Sequence, residues 1–225
     1  MCGVKDERSI FLDLDGPLLD GRERHYHCYQ TILRSLGTEP IGVNEYWDIK
    51  RAAINRRELL AMSDAEEFYH QFLMRWMEMI EQRNSLALDK VQEGAINRLE
   101  NWKQRGTSLY LVTMRRDKMG LEDQLVDLDL RALLDEVLIV DHSLGGEGKA
   151  NAVRKGFPGK KIDSDCIWIG DTEADWKAAR SLGCSVILLF NGLRNEAYLR
   201  SLEGAVVRPS IAELSNDVWS DLYES

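Results

Sequence analysis

The sequence has little of what marks several protein classes. It holds only four cysteines, Cys2, Cys28, Cys166 and Cys184, and no two of them form a C-x-x-C pair, so neither a zinc site nor a dithiol redox motif is expected. Cys166 and Cys184 lie in or beside apolar segments, where a thiol behaves as a small buried hydrophobe. Reduced cysteines and a cytoplasmic location follow as expectations. The most apolar run, Val186 to Phe190, is far too short to cross a bilayer. Met1 to Arg8 has no apolar stretch behind its charges and does not read as a signal peptide. Positive charge is in deficit: 29 Lys and Arg stand against 38 Asp and Glu, a net charge of −9. Such a chain lacks the clustered cations of a nucleic-acid binder and would be repelled by an anionic membrane. A phosphorylated ligand would need a local cationic site or a bound metal. With four prolines, 17 dispersed glycines and no repeat, there is no obvious flexible linker.

What is present is an ordinary globular balance, 44% hydrophobic and 30% charged, in 225 residues. That length suits one large domain, or one domain carrying an insert. Residues 22–36 predict a helix closed by Gly37, and residues 51–61 a second. A third is expected to open at Ser63, with Glu66 completing a capping box, and to carry a Phe68-to-Trp76 stripe as core. Beyond Asp89 the pattern alternates. Helices are expected over 89–104, 117–130, 149–155 and 173–182, and strands over 10–14, 108–113, 136–140, 166–169 and 185–190. Five short apolar strands separated by helices predict an α/β fold: a doubly wound parallel five-stranded sheet. Ligands bind beyond the C-terminal ends of such strands.

Those ends carry the chemistry. The first strand ends in Asp13-Leu14-Asp15-Gly16, the second in Thr113, and the fourth in Gly170-Asp171, with Asp175 four residues on. Lys149 opens the helix before the fourth strand. Four carboxylates on one rim raise each other's pKa unless a cation intervenes, and a hard divalent ion such as Mg²⁺ takes oxygen ligands. Thr113 and Lys149 would add a hydroxyl and an ammonium suited to phosphate oxygens. Each piece alone is weak: Asp13 could simply end a strand and Asp171 cap a helix. The order of the set is what points to function.

In that order the sequence resembles the haloacid dehalogenase superfamily of phosphohydrolases. The matching pieces are Phe11-Leu12-Asp13-Leu14-Asp15-Gly16-Pro17-Leu18-Leu19-Asp20, Leu109-Tyr110-Leu111-Val112-Thr113, Lys149, and Trp168-Ile169-Gly170-Asp171-Thr172-Glu173-Ala174-Asp175. The resemblance implies a Rossmann-like core domain, residues 1–20 and 86–225, and an inserted α-helical cap domain over 21–85, as in the phosphoglycolate-phosphatase-like branch. It implies that Asp13 is the nucleophile and that Asp15 is the acid and base. Mg²⁺ would be held by the Asp13 carboxylate, the Asp15 carbonyl and Asp171, with Asp175 a further ligand or an acceptor behind them. Thr113 and Lys149 would bind the phosphoryl oxygens.

Two positions depart from the family pattern. Pro17 stands where Thr is usual, and Lys149 is followed by Ala150 where Pro is common, which leaves Lys155, Lys160 and Lys161 as fallbacks. Asp15 disfavours a dehalogenase, which needs no acid for a halide leaving group. Lys50, the lone lysine between 21 and 85, is expected to be solvated rather than to form a Schiff base. Arg115 is expected to reach a substrate carboxylate or phosphate. Arg22, Arg24, His25 and His27 either recognise a leaving group or form a solvated first turn. His70 and His142 have no metal spacing. The expected function is Mg²⁺-dependent hydrolysis of a small phosphorylated metabolite by a monomer or small homo-oligomer. A phosphomutase of the β-phosphoglucomutase type and a catalytically idle binding protein are the alternatives.

Overall fold

The computed structural model describes residues 8–163 and 165–223; Cys2 and the opening stretch Met1–Glu7 lie outside the described residues. The chain opens with β1 (Ser9–Leu12), β2 (Leu19–Asp20), α1 (Arg22–Ser35), α2 (Val43–Arg51), α3 (Arg56–Ala61), α4 (Tyr69–Met79), α5 (Arg83–Leu86) and β3 (Lys90–Val91). It continues with α6 (Ala95–Gln104), β4 (Ser108–Thr113), α7 (Lys118–Asp127), β5 (Glu136–Ile139), α8 (Gly145–Gly156), β6 (Cys166–Gly170), α9 (Glu173–Leu182), β7 (Ser185–Leu189), α10 (Glu196–Arg200) and β8 (Val206–Arg208). The main sheet runs β5-β4-β1-β6-β7-β8, parallel throughout. The parallel α/β expectation holds with one correction: there are six strands, not five. The sixth, Val206–Arg208, is a three-residue edge strand, too short to stand out from sequence periodicity.

The strands are apolar on both faces because helices cover both. Ile10, Leu12, Leu109, Leu111, Ile167 and Ile169 face one way, against Leu99, Trp102 and Leu125 of α6 and α7. Phe11, Tyr110, Val112, Trp168 and Val186 face the other, against Val153, Ala178 and Ala179 of α8 and α9. Strand order reverses at β1, which has β4 on one side and β6 on the other. The crevice at this switch point lies beyond the ends of three adjacent strands.

The segment from α1 to α5 buries its own apolar cluster, including Tyr29, Leu33, Tyr46, Leu60, Phe72 and Trp76. Short β2 and β3 pair antiparallel, Asp20 opposite Lys90, where the chain leaves the sheet and returns. Two local expectations fail here. The helix expected over 51–61 is broken by Ala53 at φ 59°, and the segment divides into α2 and α3. Ser63 caps nothing; its hydroxyl bonds Tyr29 Oη at 2.6 Å, a tertiary contact that displaces the expected box. A capping box does open α9, made by Thr172 and Asp175.

Candidate active site

Asp13 follows β1, and its backbone N–H donates to the Ile169 carbonyl at 2.9 Å, which carries the sheet register one residue beyond the strand. Its Oδ1 accepts from Leu14 N–H at 2.8 Å, and its Oδ2 lies 3.0 Å from Lys149 Nζ. Lys149 is fully buried and donates also to Asp175 Oδ1 at 2.7 Å. The fallback lysines lie elsewhere: Lys155 is exposed, Lys160 reaches Tyr110 Oη, and Lys161 pairs with Asp163.

Asp171 follows β6 and is wholly buried. Gly16 and Gly192 close around it so tightly that a Cβ on either would lie 2.0 Å and 2.2 Å from its Oδ2. Gly16 also has φ 102°, a conformation that favours glycine. Leu193 N–H donates to Asp171 Oδ2 at 2.5 Å, while Oδ1 is buried without a partner. One carboxylate oxygen each from Asp13, Asp171 and Asp175 lies within 4.8 Å of the others. Burial, offset by Lys149 and reinforced by Asp175 and Asp15, pushes Asp13 up to about 7. Burial, then Asp175 and Asp13, raises Asp171 well above the usual range. Burial would raise Asp175 too, but Lys149 and its other donors overrule it and hold this carboxyl low. Two carboxyls pushed toward protonation, one with an orphaned oxygen, make a donor set that a hard divalent cation fits. Asp175 has a further part. Its oxygens already accept from Lys149, Trp168 Nε1, Asp171 N–H, and the Thr172 N–H and hydroxyl, so it also anchors Lys149.

Asp15 turns away from this cluster. Arg115 grips it with two hydrogen bonds of 2.8 Å, and Arg24 bonds Oδ1 from the other side. Against burial, the two guanidinium groups hold its carboxyl well below the usual range. Asp89, on the return from the helical segment, accepts from Arg24 Nε at 2.8 Å and from Arg115 at 3.1 Å, and Gln124 donates to it at 2.9 Å. Arg24 and Arg115 are 2% and 4% exposed, so neither is a solvated cation free to meet substrate in this conformation. Arg22 reaches Asn44 on α2 instead of the cluster. Thr113 ends β4 beside β1, 1% exposed.

The helical segment covers the rim. Trp47, His25, Asn191, Gly192 and Leu193 line a partly open space beside Asp15 of about 10 Å³, roughly one water. Arg51 donates to the Phe190 carbonyl, and Asn195 N–H donates to the Arg51 carbonyl at 2.9 Å, fastening α2 to the loop after β7. His25 sits between the Trp47 and Trp76 rings with Nδ1 unpartnered; burial and then Lys50 lower its pKa, so it is neutral near pH 7. Asn191 and the Gly192–Leu193 backbone were missed from the sequence, although their place directly after an apolar strand was the available signal.

Lys50 corrects its expectation. It is half-buried rather than solvated, 5.6 Å from the Trp76 ring centroid, and makes no hydrogen bond among the described residues. Burial, with Arg56, Arg194 and Arg24 near it, pulls its ammonium from 10.5 down to about 7. A depressed folded-state pKa means that a favourable contribution present above pH 10.5 is lost as pH falls through 7. Lys50→Met is therefore expected to raise the unfolding temperature at pH 6 by on the order of 2–4 °C, the response to about 1 kcal/mol in a chain of this size. The gain should vanish by pH 10.5. Thermal unfolding across that range checks it, and a gain independent of pH would overturn the assignment.

A family model for haloacid dehalogenase-like hydrolases matches residues 10–189. The chain belongs to this family. Among solved structures, a haloacid dehalogenase-like family hydrolase from Streptococcus pneumoniae is 18% identical with TM-score 0.70, over 91% of this chain and 95% of that one. A predicted phosphoglycolate phosphatase from Haemophilus somnus is also 18% identical, with TM-score 0.67 over 94% and 97%. A Thermotoga maritima protein assigned as a β-phosphoglucomutase is 20% identical, with TM-score 0.64 over 92% and 95%. No curated protein matches the chain. At these identities the likeness is one of fold, and among the described residues no helix of this family member is long and apolar enough to cross a membrane.

Proposed function

We propose that this haloacid dehalogenase-like hydrolase is a Mg²⁺-dependent phosphatase for a small phosphorylated metabolite. Residues 1–20 and 86–225 form its core domain, and 21–85 a cap that opens to admit substrate. The observation that carries the reading is the meeting of Asp13, Asp171, Asp175 and Lys149 at adjacent strand ends, three carboxylates against one buried ammonium. The Asp13 carboxylate, the Asp15 carbonyl and Asp171 would hold Mg²⁺. When bound, the ion would supply positive charge for the crowded carboxylates and for the phosphoryl oxygens.

Asp13 then attacks phosphorus, the leaving oxygen departs, and an aspartyl phosphate remains on the chain. Lys149, together with a bound ion, favours the ionised form of Asp13 and, with Thr113, meets equatorial oxygens as charge spreads over them. Asp175 holds Lys149 in place. Asp15, kept ionised by Arg24 and Arg115, is set to take a proton from the water that hydrolyses the intermediate. To protonate the leaving group it must first leave those arginines and take up a proton from solvent, and the carboxylate left after that transfer then takes the proton of the attacking water. Lys50, half-buried over the Trp76 ring and without a hydrogen bond among the described residues, would be the cap side chain that meets an anionic leaving group, in place of Arg22.

The closed rim favours a second reading. A site with room for about one water could protect the aspartyl phosphate and pass it to another hydroxyl, as a phosphomutase does. Incubation with an aryl phosphate tests the first reading: phosphate release is expected with Mg²⁺ and is expected to fall to background with EDTA. Release that persists in EDTA would refute it. Transfer to a sugar phosphate without net release would decide for the mutase.

A further inference from the structure

We propose that Lys50 and Arg56 together bind a second anionic group of the substrate, a carboxylate or a phosphate on its leaving group, so that the substrate class is a phosphomonoester of an acidic alcohol. The inference rests on the phosphatase reading above and deepens it. Both residues belong to the helical segment that covers the rim, Lys50 in the last turn of α2 and Arg56 at the start of α3. They lie over one ring, 5.6 Å and 5.2 Å from the Trp76 centroid. Both are half-buried, and neither has a hydrogen bond or a carboxylate partner among the described residues. Burial opposes the charge on both, and of the neighbouring charges Arg56 presses hardest on Lys50. The other cations that press on Lys50 are already answered: Arg194 by Glu173 at 2.7 Å, and Arg24 by Asp15 and Asp89. The Trp76 ring attracts a cation but carries no net charge to balance it.

The pair borders the reacting centre. Asp171 is near enough to oppose the fall in the Lys50 pKa. His25, which lines the space beside Asp15 and stacks near Trp76, is held neutral by burial and then by Lys50, Arg24, Arg115 and Arg56. A chain of net charge −9 therefore keeps two cations side by side and half-shielded from water at the edge of its site, with no counter-ion. Like charges so placed disfavour each other, and a bound anion removes that cost. A guanidinium fork beside an ammonium suits the oxygens of a carboxylate or a phosphate. The transferring phosphoryl group would be met at the strand ends by Thr113 and Lys149, which leaves the cap pair to the other end of the substrate. A neutral alcohol would leave both charges unmet, and a cationic one would be repelled.

Three-carbon esters test the class: propyl phosphate, 2-carboxyethyl phosphate and propane-1,3-diyl bisphosphate, each with Mg²⁺. At least one of the two anionic esters is expected to exceed propyl phosphate in kcat/KM by about tenfold or more, the effect of one charge-assisted hydrogen bond, and the one preferred names the group. Lys50→Met and Arg56→Met are each expected to cut that ratio about tenfold. A merely structural role would slow all three esters alike and leave the ratio in place. Lys50→Met is itself expected to stabilise the fold at pH 6, so a lost preference there would not reflect misfolding. A ratio near one in the parent, or a ratio unmoved by both substitutions, would overturn the proposal. If none of the esters is hydrolysed, the phosphatase reading fails, and the anion site is still read without turnover. In EDTA, inorganic phosphate is expected to raise the unfolding temperature of the full chain saturably and beyond NaCl at equal ionic strength, and Lys50→Met is expected to abolish that rise. A rise no greater than that from NaCl, or one retained in Lys50→Met, would overturn the site itself.

Discussion

Asp13→Asn is expected to lower phosphate release from an aryl phosphate, with Mg²⁺ present, by at least about 10⁴-fold, because removal of a covalent nucleophile costs rates on this order. The amide keeps the shape of the side chain and its contact with Leu14 N–H, but it cannot take a phosphoryl group. Lys149 retains Asp175 at 2.7 Å, so the loss would reflect chemistry rather than a stranded buried charge. Turnover measured beside a thermal melt makes the distinction. A variant that melts like the parent and keeps a tenth or more of its activity would remove Asp13 from the mechanism.

Asp89→Ala is expected to destabilise the protein by about 3–5 kcal/mol, the cost of breaking a buried ion pair from one side. Its carboxylate is fully buried, bonded to Arg24, Arg115 and Gln124. Without it two buried guanidinium groups would share the single carboxylate of Asp15. The same change frees Arg24 and Arg115 from their second partner, so the grip on Asp15 should loosen and the pH dependence of turnover should change with it. Asp89→Asn, which keeps the shape and part of the hydrogen bonding, is expected to fall between. Urea unfolding midpoints measure the loss, and a change below about 1 kcal/mol would mean that Asp89 is not needed to balance the arginines.

The strand-end residues were legible because each depends on local pattern. An apolar run of four to six residues predicts a buried strand, and the residue after it must stand at the sheet rim. Asp13, Thr113 and Asp171 follow from that rule alone, and Lys149 follows from its place before the fourth strand. The failures share the opposite property. Ser63 has the spacing of a helix cap, yet Tyr29, distant in sequence, claims its hydroxyl. Lys50 has the look of a surface lysine, yet α2 lies against the rim and the fold places it over Trp76. Val206–Arg208 has no pattern of its own and becomes a strand only because β7 offers an edge.

The amino-acid sequence by itself determined the parallel α/β architecture, the helical insertion and the acidic residues at the strand ends, since backbone periodicity and turn chemistry are local. Only the tertiary structure decided which charges face each other: Asp15 with Arg24 and Arg115, both of them with Asp89, and Asp175 with Lys149. Partners 9 to 100 residues apart are chosen by sheet register and helix docking, and in a low-dielectric interior that choice sets which carboxylate stays ionised.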